Sequence, residues 1–200
     1  SSTVSVHALD RLSNDLCESA VTVGVEDYGG TLLGATNDGS ASVGERGRPD
    51  VWYTFIAEAN CLLTVSTCGT HDLPGRDEGI DTVLSLHSSC PGSIRNELAS
   101  NDNSSLCESS EPEFLFDSAV SFRMERQERV SIRVSMNGEE PGPFLLQVRF
   151  TQEGARITSV TPNLISSEGG SAISVQGENL QPDHVILIGT TELVSQEFVS

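Results

Sequence analysis

The sequence contains no lysine, and this absence limits what the chain can bind. All 11 basic residues are arginine, against 29 acidic residues, and the formal net charge is −18 at pH 7. A phosphate-binding surface needs clustered basic side chains, so the composition argues against nucleic acid and anionic membranes as partners. The acidity suits a solvated surface, a basic partner or divalent cations.

Long apolar runs and helical periodicity are also missing. No stretch approaches the roughly 18 apolar residues that span a bilayer, so we expect no membrane insertion. No window of a dozen residues repeats apolar side chains at intervals of three and four, which argues against helices. Short β-rich runs alternate instead with clusters of Gly, Pro, Asn and Asp, and this predicts an all-β sandwich. The clearest runs are 51–56, 62–66, 82–86, 119–123, 130–135 and 144–150.

Two of the runs carry more detailed expectations. Residues 130–135 alternate between Val or Ile and Ser or Arg, which predicts a half-buried strand. The dipeptide Asn137-Gly138 follows that run and is typical of a hairpin, although Pro-Gly-Pro at 141–143 implies a longer loop. Residues 125–129 are expected to join two antiparallel strands.

The five cysteines all lie in the first 110 residues, and none forms a CxxC pair. Zinc ribbons and thioredoxin-like sites are therefore excluded. Cysteines in Gly-, Ser- and Asn-rich segments indicate disulfides in an oxidising compartment, so we expect a secreted or cell-surface protein. The odd number leaves one thiol, or one cysteine that pairs outside the chain.

Motifs of catalysis are absent from the sequence. The four histidines form no HExxH motif, no serine stands in GxSxG, and neither a P-loop nor a dinucleotide-binding glycine motif is present. His71-Asp72 is the only suggestive pair, and it stands in a Gly/Pro/Asp loop typical of a surface turn. We therefore expect no enzymatic activity.

Calcium is the only cofactor that the sequence suggests. Hard cations take six to eight oxygen ligands from loops, and two loops are rich in Asp and Asn. If the strand after Asp81 pairs with the strand ending near Ser100, the two loops meet at one end of the sandwich. The same residues are explained as Asx turns without any metal. The candidate ligands are Asp77, Asp81, Asn101 and Asp102.

The order and spacing of several motifs resemble the bacterial pre-peptidase C-terminal family over most of residues 13–150. This resemblance implies a jelly-roll-like β-sandwich with Trp52, Tyr53 and Phe55 opening its central strand. The motifs are Asn14–Cys17, Gly34–Gly39, Asp50–Phe55, Leu63–Gly69, Asp81–Leu86, Glu97–Asp102, Ser121-Phe122, Ile132–Val134 and Gly142–Leu146.

A second pattern begins after residue 154 and resembles the start of an IPT/TIG domain, an immunoglobulin-like sandwich. Its short strands are expected at 157–160, 171–175 and 184–188. Such domains run to about 80–90 residues, so 155–200 is expected to be a truncated domain. The chain is thus divided into a pre-peptidase C-terminal-like sandwich at 1–154 and a partial IPT/TIG domain at 155–200.

These resemblances imply disulfides and a class of function. Cys68 and Cys107 flank turn loops that a sandwich brings together and are the first expected pair. Cys17 with Cys61 is the second, which leaves Cys90 as the odd thiol. The implied function is a non-catalytic binding, spacer or adhesion module of a larger secreted protein, contacting a protein or polysaccharide surface. The alternative is an accessory domain that anchors a secreted hydrolase to a polymeric substrate.

Overall fold

Strands account for nearly all regular structure in this protein. The computed structural model describes residues 12–70, 73, 80–107, 116–152, 154–166, 170–180, 185–188 and 191–192. Within these ranges there is one 3-10 turn, Cys17–Ser19, and no α-helix. The chain forms two compact units, Ser1–Gln152 and Glu153–Ser200.

Nine strands of the first unit form two sheets with one core between them. In chain order they are β1 (Val21–Thr22), β2 (Asp27–Thr31), β3 (Val51–Ile56), β4 (Cys61–Ser66), β5 (Thr82–His87), β6 (Glu97–Asp102), β7 (Ala119–Met124), β8 (Arg129–Met136) and β9 (Pro143–Gln152). Sheet A has the order β1-β3-β8-β5-β6, and sheet B has the order β2-β9-β4-β7. The prediction of an all-β sandwich is confirmed.

Alternate residues of the strands fill this core, as a side-chain period of two requires. Burying each large aliphatic or aromatic side chain contributes roughly 1.5–3 kcal/mol. The fully or almost fully buried members include Leu63 and Val65 of β4, Val130, Ile132 and Val134 of β8, and Phe144, Leu146 and Val148 of β9.

Sheet A is also covered on its other face, contrary to the expectation that β8 is half-buried. Every residue of β8 from Val130 to Met136 is buried, including Arg133. The cause is a long loop, residues 34–50, which we call the covering loop. Its Gly39 lies so close to the sheet that a Cβ there would stand 2.4 Å from the Trp52 ring. A loop that approaches a sheet this closely needs glycine at the contact.

The connections before and after β8 both cross between the sheets. Residues 125–128 lead from β7 in sheet B to β8 in sheet A, so these strands do not pair with each other. Residues 137–142 lead back from β8 to β9 in sheet B. The predicted hairpin at Asn137-Gly138 is therefore wrong. The Asn137 backbone N–H donates instead to the carbonyl of Asp81, 2.9 Å away, because the loop turns toward the start of β5.

Two disulfides bridge the first unit. Cys68 is bonded to Cys107, the pair favoured by the sequence, with 5.0 Å between their Cα atoms. Cys17 is bonded to Cys90 and not to the expected Cys61. Cys61 begins β4 near the end of β3, where its side chain is only 2% exposed in the core. Cys17 lies instead on the outer face of sheet A, where its backbone N–H donates to Asp38 of the covering loop, so the sheet separates the two cysteines.

The second unit has two short antiparallel pairs. They join β10 (Arg156–Thr161) to β11 (Ser174–Glu178), and β12 (Leu187–Ile188) to β13 (Thr191–Glu192). β11 begins three residues later than the run expected from the sequence. No residue described in this unit is buried, and Ile157 of β10 is 51% exposed.

Candidate functional site

The covering loop is held on sheet A by two carboxylates, Asp15, which is fully buried, and Asp38, which is partly buried. Asp15 accepts hydrogen bonds from the backbone N–H of Thr36 at 2.5 Å and from its hydroxyl at 2.9 Å. Asp38 accepts one from the Trp52 indole N–H at 2.5 Å and one from the Cys17 backbone N–H at 2.9 Å. Hydrogen bonds to a charged acceptor contribute more than neutral ones, about 1.5–3 kcal/mol each. These carboxylates therefore fix the loop.

An ion pair lies beneath the loop. The Arg133 Nε donates to Asp50 Oδ2 at 2.7 Å, and both side chains are at most 3% exposed. Asp50 is the last residue of the covering loop and also accepts from the Gly39 backbone N–H, 3.2 Å away, so the ion pair joins the loop to the sheet. Burial raises the pKa of Asp50, although the neighbouring Arg133 acts in the opposite direction. A buried pair is costly to break, because the remaining charge is left without a partner.

A serine, a histidine and an asparagine are hydrogen-bonded in series close to this ion pair. His87 Nε2 stands 2.8 Å from the Ser85 hydroxyl, and His87 Nδ1 stands 3.3 Å from Asn96 Oδ1. Asn96 Oδ1 accepts from the Ser93 backbone N–H, so His87 Nδ1 is the protonated nitrogen and Nε2 accepts from Ser85. Burial lowers the pKa of His87, which favours this neutral form. Ser85 and His87 are both fully buried, so substrate has no access to them.

Two of the predicted cation ligands, Asp81 and Asp102, lie in a second polar cluster. We call it the acidic loop cluster, and its members are Glu45, Asp81, Asp102, Asp117 and Asn137. The Asn137 amide nitrogen donates to Asp81 Oδ2 at 3.1 Å and to Asp102 Oδ2 at 3.0 Å. Its amide oxygen accepts from the Glu45 backbone N–H at 2.8 Å. A neutral amide thus bridges two carboxylates and ties three loops together.

Asp81 is the strained member of the acidic loop cluster. Burial raises its pKa from 3.8 to about 6, and the charges of Asp102, Glu45 and Asp117 add to the rise, while the Asn137 hydrogen bond opposes it. Its Oδ1 atom is buried and has no hydrogen-bond partner among the described residues. A buried acceptor without a partner costs about 1–3 kcal/mol.

The structure brings together two of the four predicted ligands. β5 pairs with β6 so that Val83 stands opposite Asp102, and this pairing places Asp81 near Asp102. Asn101 points elsewhere, since its amide oxygen accepts from the Ala119 backbone N–H at 3.1 Å. Asp77 lies outside the described residues, as does the His71-Asp72 pair.

Sequence reasoning missed Asn137, Glu45 and Asp117 as members of this cluster. The sequence pattern predicts Asn137 only as a hairpin residue. The one available signal was its position between a strand end and an acidic loop, Glu139-Glu140.

The described part of the chain fits a cation poorly. Within it, no three His, Cys, Asp or Glu side chains are close enough to hold a metal ion. The space between Asp81 and Asp102 is bridged by the Asn137 amide hydrogens, which repel a cation. One observation favours a cation: Asp81 Oδ1 is a buried oxygen that accepts no hydrogen bond from the described residues.

None of the described residues forms a helix long and apolar enough to cross a membrane. No curated protein matches the chain significantly. Among solved structures, the chain is similar to the pre-peptidase C-terminal domain of a collagenase from Bacillus anthracis. The identity is 15% and the TM-score 0.40, over 65% of this chain and 94% of that chain. It is also similar to PliG of Aeromonas hydrophila, a periplasmic inhibitor of g-type lysozyme. There the identity is 13% and the TM-score 0.35, over 66% of this chain and 96% of that chain.

Residues 155–200 match the family model of the IPT/TIG domain. This match covers the whole segment for which the sequence showed that resemblance. The chain therefore carries an IPT/TIG match behind a β-sandwich unit that resembles pre-peptidase C-terminal domains.

Proposed function

We propose that the chain is a non-catalytic binding or spacer module of a larger secreted or cell-surface protein. Two disulfides support an oxidising compartment, because the cytosol keeps thiols reduced. The IPT/TIG match directly behind the first unit supports a chain of successive modules. The partner is a protein or polysaccharide surface.

The path of the chain through the first unit is the observation that carries this proposal. The carbonyl of Asn14 accepts from the Trp52 backbone N–H, so the chain comes in near the start of β3. Gln152, the last residue of the unit, pairs with Cys61 beyond the end of β3. The described part of the unit therefore begins toward one end of the sandwich and finishes at the other, which supports a module in a linear series.

The buried Ser85–His87 pair supports a non-catalytic role. Nucleophilic catalysis needs a serine and a base within hydrogen-bond reach of a substrate. Here both side chains are fully buried beneath the loop that contains Gly92, where a Cβ would lie 2.1 Å from the Trp52 ring. The hydrogen bonds of the pair stabilise the interior.

Pulling on the two termini of the chain tests the spacer proposal. The Cys17–Cys90 disulfide prevents the residues between these two cysteines from being extended by the force. Unfolding the first unit therefore frees about 67 residues, or roughly 230 Å of extended chain. We expect one discrete unfolding event of about this length by single-molecule force spectroscopy. Under reducing conditions the event lengthens to about 140 residues, or roughly 490 Å. Gradual extension without a discrete event would contradict a spacer role.

Matched variants show which disulfide sets the length. Replacing Cys68 and Cys107 by serine leaves the event at about 67 residues, because that bridge does not shorten the pulled path. Replacing Cys17 and Cys90 lengthens it to about 100 residues. Equal lengths for the two variants would show that the pairing is different.

A fluorophosphonate probe tests the absence of catalysis. We expect no adduct on the native chain by intact mass, because Ser85 is inaccessible. An adduct that maps to Ser85 and disappears in Ser85→Ala would overturn the non-catalytic proposal.

Calcium at Asp77, Asp81, Asn101 and Asp102 stays a prediction. Binding only to the folded state would stabilise it by about 2.7 kcal/mol at a hundredfold excess over Kd. Because the Asn137 amide already bridges Asp81 and Asp102, we expect the melting temperature in millimolar CaCl₂ to equal that in MgCl₂ at the same ionic strength. A specific rise with calcium that is lost in Asp81→Asn would establish the site.

A further inference from the structure

An apolar pocket opens at the end of the sandwich where β3 and β9 finish. It has a volume of about 310 Å³ and is lined by Val25, Phe55, Ile56, Ala59 and Phe150, with Cys61 also in its wall. Phe150 continues the inward-facing row of β9, yet it is 38% exposed, and Val25 is 43% exposed. The core is therefore left open at this end. Exposed apolar surface of this kind marks contact sites.

The pocket adjoins an open strand edge. β1 is the terminal strand of sheet A, and among the described residues it pairs only with β3. Thr22 of β1 lines the pocket as well. A free edge beside a side-chain pocket is the arrangement by which extended peptides add to a sheet, since the edge binds the backbone and the pocket binds a side chain.

The charges at the pocket favour a basic partner. Glu58 is the only ionisable lining residue apart from Cys61, and Glu26 stands next to Val25. Both glutamates are exposed, and neither makes an ion pair with a described residue. Arg149 of β9 forms an ion pair with Asp27 at 2.5 Å. A second copy of the chain brings another 18 negative charges, which disfavours it as the occupant.

We propose that this pocket receives the apolar side chain of an extended polypeptide in which that residue is flanked by Lys or Arg. This inference deepens the proposed binding function and rests on it. The apolar side chain fills the opening beside Phe150, the flanking cations face Glu58 and Glu26, and the peptide backbone lies along β1.

The test uses the full 200-residue chain and the capped peptide Gly-Arg-Phe-Arg-Gly as probe. Backbone amide shifts in NMR titration report the site and the Kd. We expect shifts confined to residues 21–26, 56–61 and 148–150, and weaker binding as NaCl screens the charges. Peptides with Ala for Phe, or Glu for both Arg, should bind at least tenfold more weakly.

Variants separate the pocket from general electrostatics. Ala59→Phe fills the pocket and should weaken binding at least tenfold, with an unchanged circular dichroism spectrum as control. If Ala59→Phe does not fold, Val25→Lys at the exposed rim takes its place and has the same expected effect. Glu58→Gln should weaken binding about two- to fivefold, the range of an exposed ion pair. The matched Glu139→Gln, at the other end of the sandwich, should change nothing.

Equal binding of the Phe and Ala peptides, or full binding by both Ala59→Phe and Val25→Lys, would overturn the proposal. So would a dimer in sedimentation that Ala59→Phe dissociates, since the pocket would then hold a second copy. Each of these results leaves the unfolding-length and labelling tests of the spacer function unaffected, so the two proposals fail separately.

Discussion

The variant Asp81→Asn tests how much the buried negative charge of Asp81 lowers the folding stability. Burial and three nearby carboxylates raise the pKa of Asp81 from 3.8 to about 6. One pKa unit corresponds to about 1.4 kcal/mol, so ionised Asp81 lowers the folding stability at pH 7 by at most about 3 kcal/mol. Because Asp81 is partly exposed, solvent screening reduces this to about 1–2 kcal/mol.

The sign of the effect follows from proton binding. Between pH 3.8 and about 6 the folded chain holds a proton on Asp81 that the unfolded chain has lost. Stability contributed by this group therefore rises as pH falls through that window. Asp81→Asn removes the penalty, and its amide oxygen still accepts the hydrogen bond from Asn137. We expect the variant to be more stable than the parent at pH 7 and to lose this advantage by pH 4.

Thermal melts at pH 7, 5.5 and 4 measure the difference. For a unit of this size, 1–2 kcal/mol corresponds to a rise of about 2–8 °C in melting temperature at pH 7. Glu139→Gln, an exposed acid in the neighbouring loop, is the control for the change in net charge. The reasoning is refuted if Asp81→Asn gives the same gain at pH 4 as at pH 7, or if Glu139→Gln reproduces it.

Three other experiments test the interior of the first unit. Arg133→Met should cost about 3–5 kcal/mol in chemical denaturation because it leaves Asp50 buried without its ion-pair partner, and adding Asp50→Asn should recover part of that loss. Gly39→Ala should cost about 1–3 kcal/mol, since its Cβ would overlap the Trp52 ring, and a neutral result would show that the loop can move aside. Cys61, at 2% exposure, should resist thiol reagents in the native chain and react in guanidinium, and rapid native labelling would disprove its burial.

The sequence predicted the strongest strands because their runs of apolar and β-branched residues are a local signal. The run at 82–86 became β5 at Thr82–His87, and the run at 130–135 became β8 at Arg129–Met136. The strand β2 escaped prediction, since its sequence Asp-Tyr-Gly-Gly-Thr has little β propensity. β2 forms because β9 offers it a complete antiparallel partner, from Asp27 opposite Gln147 to Thr31 opposite Pro143. A partner that lies 112 to 120 residues away in the sequence leaves no local signal.

The second disulfide and the covering loop depended on tertiary structure in the same way. Nothing local to Cys17 distinguishes Cys61 from Cys90 as its partner. The choice follows from the loop that contains Cys90, which lies over sheet A and meets the covering loop where the Ser40 N–H donates to the Gly92 carbonyl. Nothing local to Asp38 indicates either that its carboxylate accepts from the Trp52 indole N–H.

The acidic residues and the use of arginine in place of lysine also matter for the interior of the first unit. Asp15 and Asp50 are fully buried and accept hydrogen bonds from the covering loop, so part of the negative charge belongs to the interior. The buried base that pairs with Asp50 bonds in two directions at once. Arg133 does so, with Nε on Asp50 and Nη2 on the Ser135 hydroxyl, 3.2 Å away. A lysine ammonium is a single strongly hydrated charge and cannot reproduce that planar pair of donors. The guanidinium therefore holds the covering loop on sheet A, and the loop in turn shields Trp52 and the outer face of the sheet from solvent.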